Sequence, residues 1–397
     1  MNYSSQSEFK ILVVDDEIDL ESLIRQKFRR QIRDKVYDFV FAFNGLEALT
    51  KLLEYPEIGI VLTDINMPEM DGLTLLAKLK ELKNQGLKTV IVSAYGDMEN
   101  IRTAMNRGAY DFITKPVNFE DLEITINKTI EEILQIRRSM EEHDQLVSIQ
   151  HDLNVAREIQ QAILPKVFSL LPEKQNFDIY ASMVAAREVG GDFYDFFLVD
   201  STRLGFVIGD VSGKGVPAAI FMAVSRTLIR ATGIKGVSAG ECMRYVNKLL
   251  CNESVASMFV TIFYGILDFT TGEVEFVNAG HNPPYLISFS GITKVEITGD
   301  TVLGVFDYIS FRTGKIKMNP GDKLFLFTDG VTEAFNDREE VYGEERLESL
   351  LMQHLPLPVN NIVNKTMESV KSYVDGAPQS DDITLLSISL NDLDGQM

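Results

Sequence analysis

Three aspartates and one lysine in the first third of the chain have the types and spacing needed for phosphoryl transfer. Asp15 and Asp16 directly follow the apolar run ILVV (residues 11–14), and Asp64 directly follows IVLT. Lys115 directly follows DFIT (111–114), and Ser93 follows TVIV (89–92). If these runs are strands of one parallel sheet, the three carboxylates meet at one edge. Such a pocket of oxygens suits Mg²⁺. The ion can draw in a phosphoryl donor while one carboxylate attacks it. Lys115 can pair with the phosphoryl oxygens as a mobile cation, and Ser93 offers them a hydroxyl.

A second acidic set lies in the C-terminal half. Asp192, Asp210, Asp329 and Asp381 stand in REVGGDFYD (187–195), GDVSGKGVPAA (209–219), TDGVTE (328–333) and SDDIT (380–384). Each ends an apolar strand or flanks a tight glycine turn. With four histidines and two cysteines in the whole chain, a Zn²⁺ site is disfavoured, and all-oxygen donors favour Mg²⁺ or Mn²⁺. Two such ions can activate a water for in-line attack on phosphorus. Gly190, Gly191, Gly213 and Gly215 let the backbone approach ions closely. A single Asp after a strand is more often a turn former or helix cap; recurrence at several strand ends reverses that reading. The GKG at 213–215 lacks the spacing of a P-loop.

Three zones must position these groups. Residues 9–120 alternate apolar runs, ILVV, FVFA (39–42), IGIVL (58–62), TVIV and DFIT, with amphipathic segments. Five such units imply a doubly wound parallel sheet with helices on both faces and its ligand site at the strands' carboxyl ends. Residues 119–165 contain no Gly, and Pro only at 165. Ile126, Ile130, Ile133 and Met140 keep a heptad spacing, as do Leu146, Ile149, Leu153, Ala156 and Ile163. The two seams are out of phase near Asp144, and Arg137 and Gln160 put polar side chains on them. This predicts either a single amphipathic helix lying on one domain or, as the favoured reading, a parallel coiled-coil linker that joins two domains and pairs two copies. Residues 166–397 carry strand and hairpin signals around Thr-Thr-Gly (258–280) and Asn-Pro-Gly-Asp (315–330), with helical patterns at 216–231, 238–252, 343–352 and 358–374. Segregated strands and helices indicate an α+β domain. The expected divisions are 1–120, 121–165 and 166–397.

Composition agrees. The 397 residues are 45% hydrophobic and 24% charged, which excludes a largely disordered chain. The formal charge of −20 argues against general nucleic-acid binding. No apolar run approaches the ~20 residues of a membrane span, and MNYSSQSEFK has no secretory pattern. Cys242 and Cys251 have no metal-ligand spacing and read as reduced thiols. A cytoplasmic protein without membrane association is expected.

The motifs VVDDE, TDINMPEMDG, VSAY and YDFITKP resemble the receiver domain of bacterial two-component response regulators, a flavodoxin-like fold. The resemblance implies that Asp64 is the phosphoacceptor and that Asp15, Asp16 and the Asn66 carbonyl hold Mg²⁺. It implies that Ser93 and Tyr110 form a switch pair, that Lys115 contacts the phosphoryl group, and that Lys115–Pro116 is cis. The partner would be a sensor histidine kinase or phosphotransfer protein.

GGDFYD, DVSGKG, NAGHNPP (278–284), TDGVTE and DDIT resemble the metal-dependent Ser/Thr protein phosphatases of the PPM superfamily, in the branch of sporulation stage II protein E. That implies a β-sandwich flanked by helices holding two Mn²⁺ or Mg²⁺ ions. By the same resemblance Asp210 bridges both ions, the Val211 carbonyl completes one, and Asp329 and Asp381 hold the other. Asp192 joins through a bound water, Asp382 is a further ligand candidate, and Arg187 is a possible phosphate-binding residue. Ser212 stands where many relatives have histidine, so the leaving group has no histidine acid. His281, in Asn-Pro-Pro context, reads as a turn residue rather than a base. The implied substrate is a phosphoserine or phosphothreonine protein, an anti-sigma-factor antagonist in a partner-switching pathway. The alternative is a catalytically weak chain serving as an adaptor or sequestering protein, which loss of Asp210, Asp329 or Asp381 would favour; all three are present. A DNA-binding regulator is disfavoured, since no basic recognition helix is found.

Overall fold

The computed structural model describes residues 9–84, 86–94, 96–166, 177–253, 258–296 and 299–391. The N-terminal residues 1–8 read for a signal, and Tyr95 of VSAY, lie outside them. The chain divides into two compact units, Met1–Ile149 and Gln150–Met397.

The first unit contains β1 (Phe9–Val14), α1 (Ile18–Lys27), α2 (Arg29–Arg33), β2 (Tyr37–Ala42), α3 (Gly45–Glu54), β3 (Ile58–Asp64), α4 (Gly72–Glu81), β4 (Lys88–Ala94), α5 (Met98–Arg107) and β5 (Asp111–Lys115). The strands form one parallel sheet in the order β2-β1-β3-β4-β5. Central strands of such a sheet are covered on both faces, and β3 is buried along its whole length. The fold is the flavodoxin-like doubly wound one.

Helix α6 (Phe119–Ile163) runs through the linker zone. Its first part does not offer the expected seam. Ile126 and Ile133 are fully buried in the first unit's core with Ile11, Phe28 and Ile60, and Ile130 packs against the same cluster. A heptad spacing fits one side of any amphipathic helix, so it cannot say what covers that side. Met140, Leu146 and Ile149, by contrast, are 50%, 65% and 57% exposed.

The second unit contains β6 (Phe177–Val184), β7 (Phe193–Leu198), β8 (Arg203–Val211), α7 (Val216–Gly233), α8 (Ala239–Glu253), β9 (Val260–Asp268), β10 (Glu273–Ala279), β11 (Tyr285–Ser288) and β12 (Gly291–Lys294). It continues with β13 (Gly314–Lys317), β14 (Lys323–Phe327), α9 (Asp329–Thr332), α10 (Glu344–Gln353), α11 (Val359–Val374) and β15 (Ile383–Leu390). Two five-stranded sheets, β13-β10-β9-β8-β7 and β12-β11-β14-β15-β6, share one apolar core that includes Phe206, Ile208, Leu324, Leu326, Leu386 and Ile388. Helices α7 and α8 pack on the first sheet, and α10 and α11 on the second.

The Thr-Thr-Gly hairpin is present as β9 and β10. The Asn-Pro-Gly-Asp hairpin is not. β13 pairs with β10, whereas β14 pairs with β11 and β15. The turn carries the chain from one sheet to the other. Asp322 accepts from Asn319 N at 2.8 Å, and Gly321 N donates to Leu390 O at 2.7 Å. Met318, 1% exposed, enters the shared core at the crossing.

Candidate functional sites: two acidic clusters

In the first unit, the ends of β1 and β3 bring Asp15, Asp16 and Asp64 together, with one carboxylate oxygen of each within 4.8 Å of the others. Lys115, closing β5, reaches Asp64 Oδ2 at 2.7 Å, Asp15 Oδ2 at 2.9 Å and Glu17 Oε1 at 3.1 Å. Burial works against the lysine's charge, but the bonds to Asp64 and Asp15 outweigh it and raise its pKa. Asp15 is raised above the usual carboxylate range because its burial outweighs the pull of Lys115. A compact all-oxygen pocket with one cation beside it fits Mg²⁺. Asn66 stands in the following loop, its N–H 3.4 Å from Asp64 Oδ1. Ser93 is buried at the end of β4, and the Lys115–Pro116 bond is cis.

The structure does not bring Tyr110 to this pocket. Its N–H donates to Thr89 O at 2.7 Å, at the start of β4, and its ring lies 5.5 Å from both the Lys88 and Lys128 ammonium groups. Ser93 is in register with Thr114, four residues further on, about 13 Å along a strand. Strand alternation puts Phe112, two residues before Thr114 and 38% exposed, on the face that Ser93 shares. Phe112 is reached by one step of two from Thr114, the residue in register with Ser93.

In the second unit, Asp192 precedes β7, Asp210 lies near the end of β8, Asp329 opens α9 after β14, and Asp381 precedes β15. They are electrostatic neighbours. Burial, then Asp329, pushes the Asp210 carboxyl up to about 7. Burial raises Asp192 strongly, with Asp210 and Asp382 adding to it, and burial also raises Asp329. Carboxylates crowded out of water and against each other are what a divalent cation relieves, and the donors are all oxygen, so the set fits Mg²⁺ or Mn²⁺. Among the described residues, no three of these carboxylates converge as tightly as the first unit's triad. Lys214 Nζ lies 2.9 Å from Asp381 Oδ2.

Two roles separate at the Asp381–Asp382 pair. Asp382 is 7% exposed and commits its carboxylate to backbone donors: Ala186 N at 2.7 Å, Gly191 N at 2.6 Å and Asp192 N at 3.3 Å. It braces the 186–192 loop. Asp381 is partly exposed and has Lys214 beside it. Two glycines are required by this brace. A Cβ on Gly190 would strike the Asp382 carboxylate, and one on Gly330 would strike the Asp382 carbonyl. Asp192 is held by Thr328 Oγ1, which donates to its Oδ2 at 2.7 Å and accepts from Thr384 N at 2.9 Å. Ser212 is taken up by local backbone, its Oγ accepting from Phe259 N at 3.0 Å.

The polar seam residue Gln160 proves to be a clamp. Buried at 6% exposure, it donates to Gly190 O at 2.7 Å and accepts from Gly190 N at 3.0 Å. Arg157, one turn earlier, donates to Glu188 O at 3.0 Å. The end of α6 thus grips the loop two residues before Asp192. A polar side chain on an apolar seam was the available signal.

His281 is buried in the turn its context implied, its N–H and C=O both bonded to the Asn278 side chain at 2.9 Å. Its Nδ1 lies 2.9 Å from Thr261 Oγ1. Burial lowers its pKa to about 4. An unfolded histidine takes its proton near 6.5, so stability should fall as pH drops from about 6.5 to about 4, by up to ~1.4 kcal/mol per unit from this group. Denaturant titrations of His281→Asn should lack that component of the slope; an unchanged slope refutes it.

The first unit is a sheet with an acidic phosphoryl-type pocket, and the second is a helix-flanked sandwich with an acidic centre. The second shares its fold with the SiaA-PP2C domain of Pseudomonas aeruginosa (TM-score 0.55, 22% identity, covering 62% of this chain and 99% of that one). More specifically, residues 11–127 match the response regulator receiver domain, and residues 200–391 match the stage II sporulation protein E family. The chain therefore carries a receiver domain and a phosphatase domain of the stage II sporulation protein E type. It is 33% identical over 268 residues to Protein IcfG of Synechocystis sp., covering 60% of this chain and 42% of that protein. It is 26% identical over 272 residues to phosphoserine phosphatase RsbU of Bacillus subtilis, covering 67% and 79% respectively. The chain thus spans less than half the length of the first relative. No described helix is long and apolar enough to cross a membrane.

Proposed function

We propose that this chain is a metal-dependent protein serine/threonine phosphatase governed by phosphorylation of its receiver domain. The observation that carries the reading is the pairing, in one chain, of a lysine-flanked aspartate pocket with an acidic centre whose carboxyls are driven upward by burial and crowding. Asp64 accepts the phosphoryl group from a sensor histidine kinase or phosphotransfer protein. Asp15, Asp16 and the Asn66 carbonyl hold Mg²⁺, while Ser93 and Lys115 bind the phosphoryl oxygens. With Asp64→Asn, labelling by a small-molecule phosphodonor should fall to background on a phosphate-affinity gel; retained labelling would place the acceptor elsewhere.

In the phosphatase, Asp192, Asp210, the Val211 carbonyl, Asp329 and Asp381 hold two Mn²⁺ or Mg²⁺ ions. Bound there, the ions supply an activated water and a Lewis acid for the phosphoryl oxygens. The chain's own groups arrange that centre. Asp382 and Gln160 fix the loop bearing Asp192, Thr328 orients Asp192, Lys214 places a cation beside Asp381, and Arg187 stands ready for the phosphate. The name of the relative RsbU supports a phosphoserine protein as substrate, and we take an anti-sigma-factor antagonist as the fitting candidate, in a cytoplasmic setting.

Receiver phosphorylation would act through α6, whose last turns hold Gly190. Met140, Leu146 and Ile149 would be covered by the same helix of a second copy. With Leu146→Glu and Ile149→Glu together, sedimentation should report monomers where the unaltered chain gives dimers; an unchanged mass rules out this seam. The test of the whole reading is Mn²⁺-dependent phosphate release from a phosphoserine protein, with and without beryllofluoride on the receiver. Chelator-sensitive release that changes with beryllofluoride supports it. Release indifferent to beryllofluoride removes the control, and no release removes the enzyme.

A further inference from the structure

A cavity of about 530 Å³ lies beside the loop that carries Asp192. Among the described residues its basic lining residues are Arg157, Lys166 and Arg187, and none of the described lining residues is an aspartate or glutamate. That is unusual in a chain of formal charge −20. Its walls are fixed. Gln160 is clamped to Gly190, and Tyr194, 6% exposed, donates its hydroxyl to Pro165 O at 3.1 Å. Arg157 uses Nε on Glu188 O, which leaves its outer guanidinium nitrogens for a ligand. Arg187 adjoins Ala186, whose N–H is bonded to Asp382, so one short loop borders both the cavity and the acidic centre.

From this juxtaposition we propose that the cavity docks an acidic segment of the protein substrate, flanking the phosphorylated residue rather than containing it. The inference rests on the phosphatase reading above and adds a substrate preference to it. Three exposed cations lining one cavity can give charge-assisted hydrogen bonds to carboxylates. They also give a local positive field against a negative background, which selects an anionic partner segment by both orientation and encounter rate. Arg187, the possible phosphate-binding residue, also lines this cavity with Arg157 and Lys166, which places the docked segment next to the phosphorylated residue.

The test uses the full chain and two fluorescein-labelled peptides, each with one unphosphorylated serine, flanked by four glutamates in one and four glutamines in the other. Binding is read by fluorescence anisotropy in chelator. The glutamate peptide should bind at least tenfold tighter than the glutamine peptide. Lys166→Glu should remove that difference. Lys235→Glu makes the same change in net charge far along the sequence, on α7's exposed C-terminal flank, and should keep it. Equal binding of the two peptides, or equal weakening by both variants, overturns the proposal. Because no turnover is involved, a chain without phosphatase activity would defeat the proposed function and leave this result standing. An active phosphatase with no glutamate preference would defeat the cavity alone.

Discussion

Replacing Asp210 by asparagine is expected to lower kcat/KM for a phosphoserine substrate by about 10³-fold or more, equivalent to about 4 kcal/mol of transition-state stabilisation. The side chain keeps its shape and loses its charge. Asp210 sits where burial and Asp329 already oppose that charge, pushing its carboxyl up to about 7. The structure tolerates the charge at a cost, which is expected of a group that serves a divalent cation. The fold should therefore survive the change, and thermal stability without metal should hold or rise. Calorimetric titration with Mn²⁺ should show a matching loss of affinity. Activity within tenfold of the unaltered chain would remove Asp210 from the centre.

Asp195→Ala should destabilise the phosphatase unit by about 3–5 kcal/mol. Asp195 is fully buried and pairs with Arg226 Nη2 at 3.1 Å and Arg230 Nη1 at 2.5 Å. Burial raises its pKa more than the two arginines lower it, so the triad stands near balance. Deleting the carboxylate removes the compensation and leaves the Arg226 guanidinium, only 14% exposed, without its partner. The loss is an uncompensated charge more than a missing attraction. The triple change Asp195→Leu, Arg226→Met and Arg230→Met should therefore recover most of the stability in urea titrations. Those arginines lie on α7, which begins six residues after Asp210, so the single variant should also weaken Mn²⁺ binding. A loss below about 1 kcal/mol would show the triad to be dispensable.

Most of the receiver is legible in its sequence. Its central strand β3 is buried on both faces and reads as an unbroken apolar run, and its acids fall at strand ends. Tyr110 was misplaced because an aromatic side chain near a lysine gives no hint of its height along the strand, which only the pairing of Ser93 with Thr114 fixes. The Ile126–Ile133 stripe showed that a side of the helix is covered but not by what. In the phosphatase the acidic motifs were legible, yet Asp381 and Asp382 are alike as letters. Only the backbone N–H groups aimed at Asp382 separate brace from ligand candidate. The turn at Asn319–Asp322 was legible as a turn, but its exit strand is chosen by partners over sixty residues later.

That exit strand has a consequence for how the second unit comes into being. β14 is hydrogen-bonded to β15, and β15 in turn to β6, which opens the sandwich some two hundred residues earlier in the chain. The second sheet thus lacks its inner strand until the last described residues have left the ribosome, and Asp381 and Asp382 arrive with it. The receiver has no such dependence, since its strands are complete by Lys115. Domains fold as units during synthesis, and long-range pairings form late. A nascent chain would thus complete its receiver sheet well before its second acidic cluster, so the aspartate pocket at Asp64 precedes the centre at Asp210 and Asp381 in the order of folding.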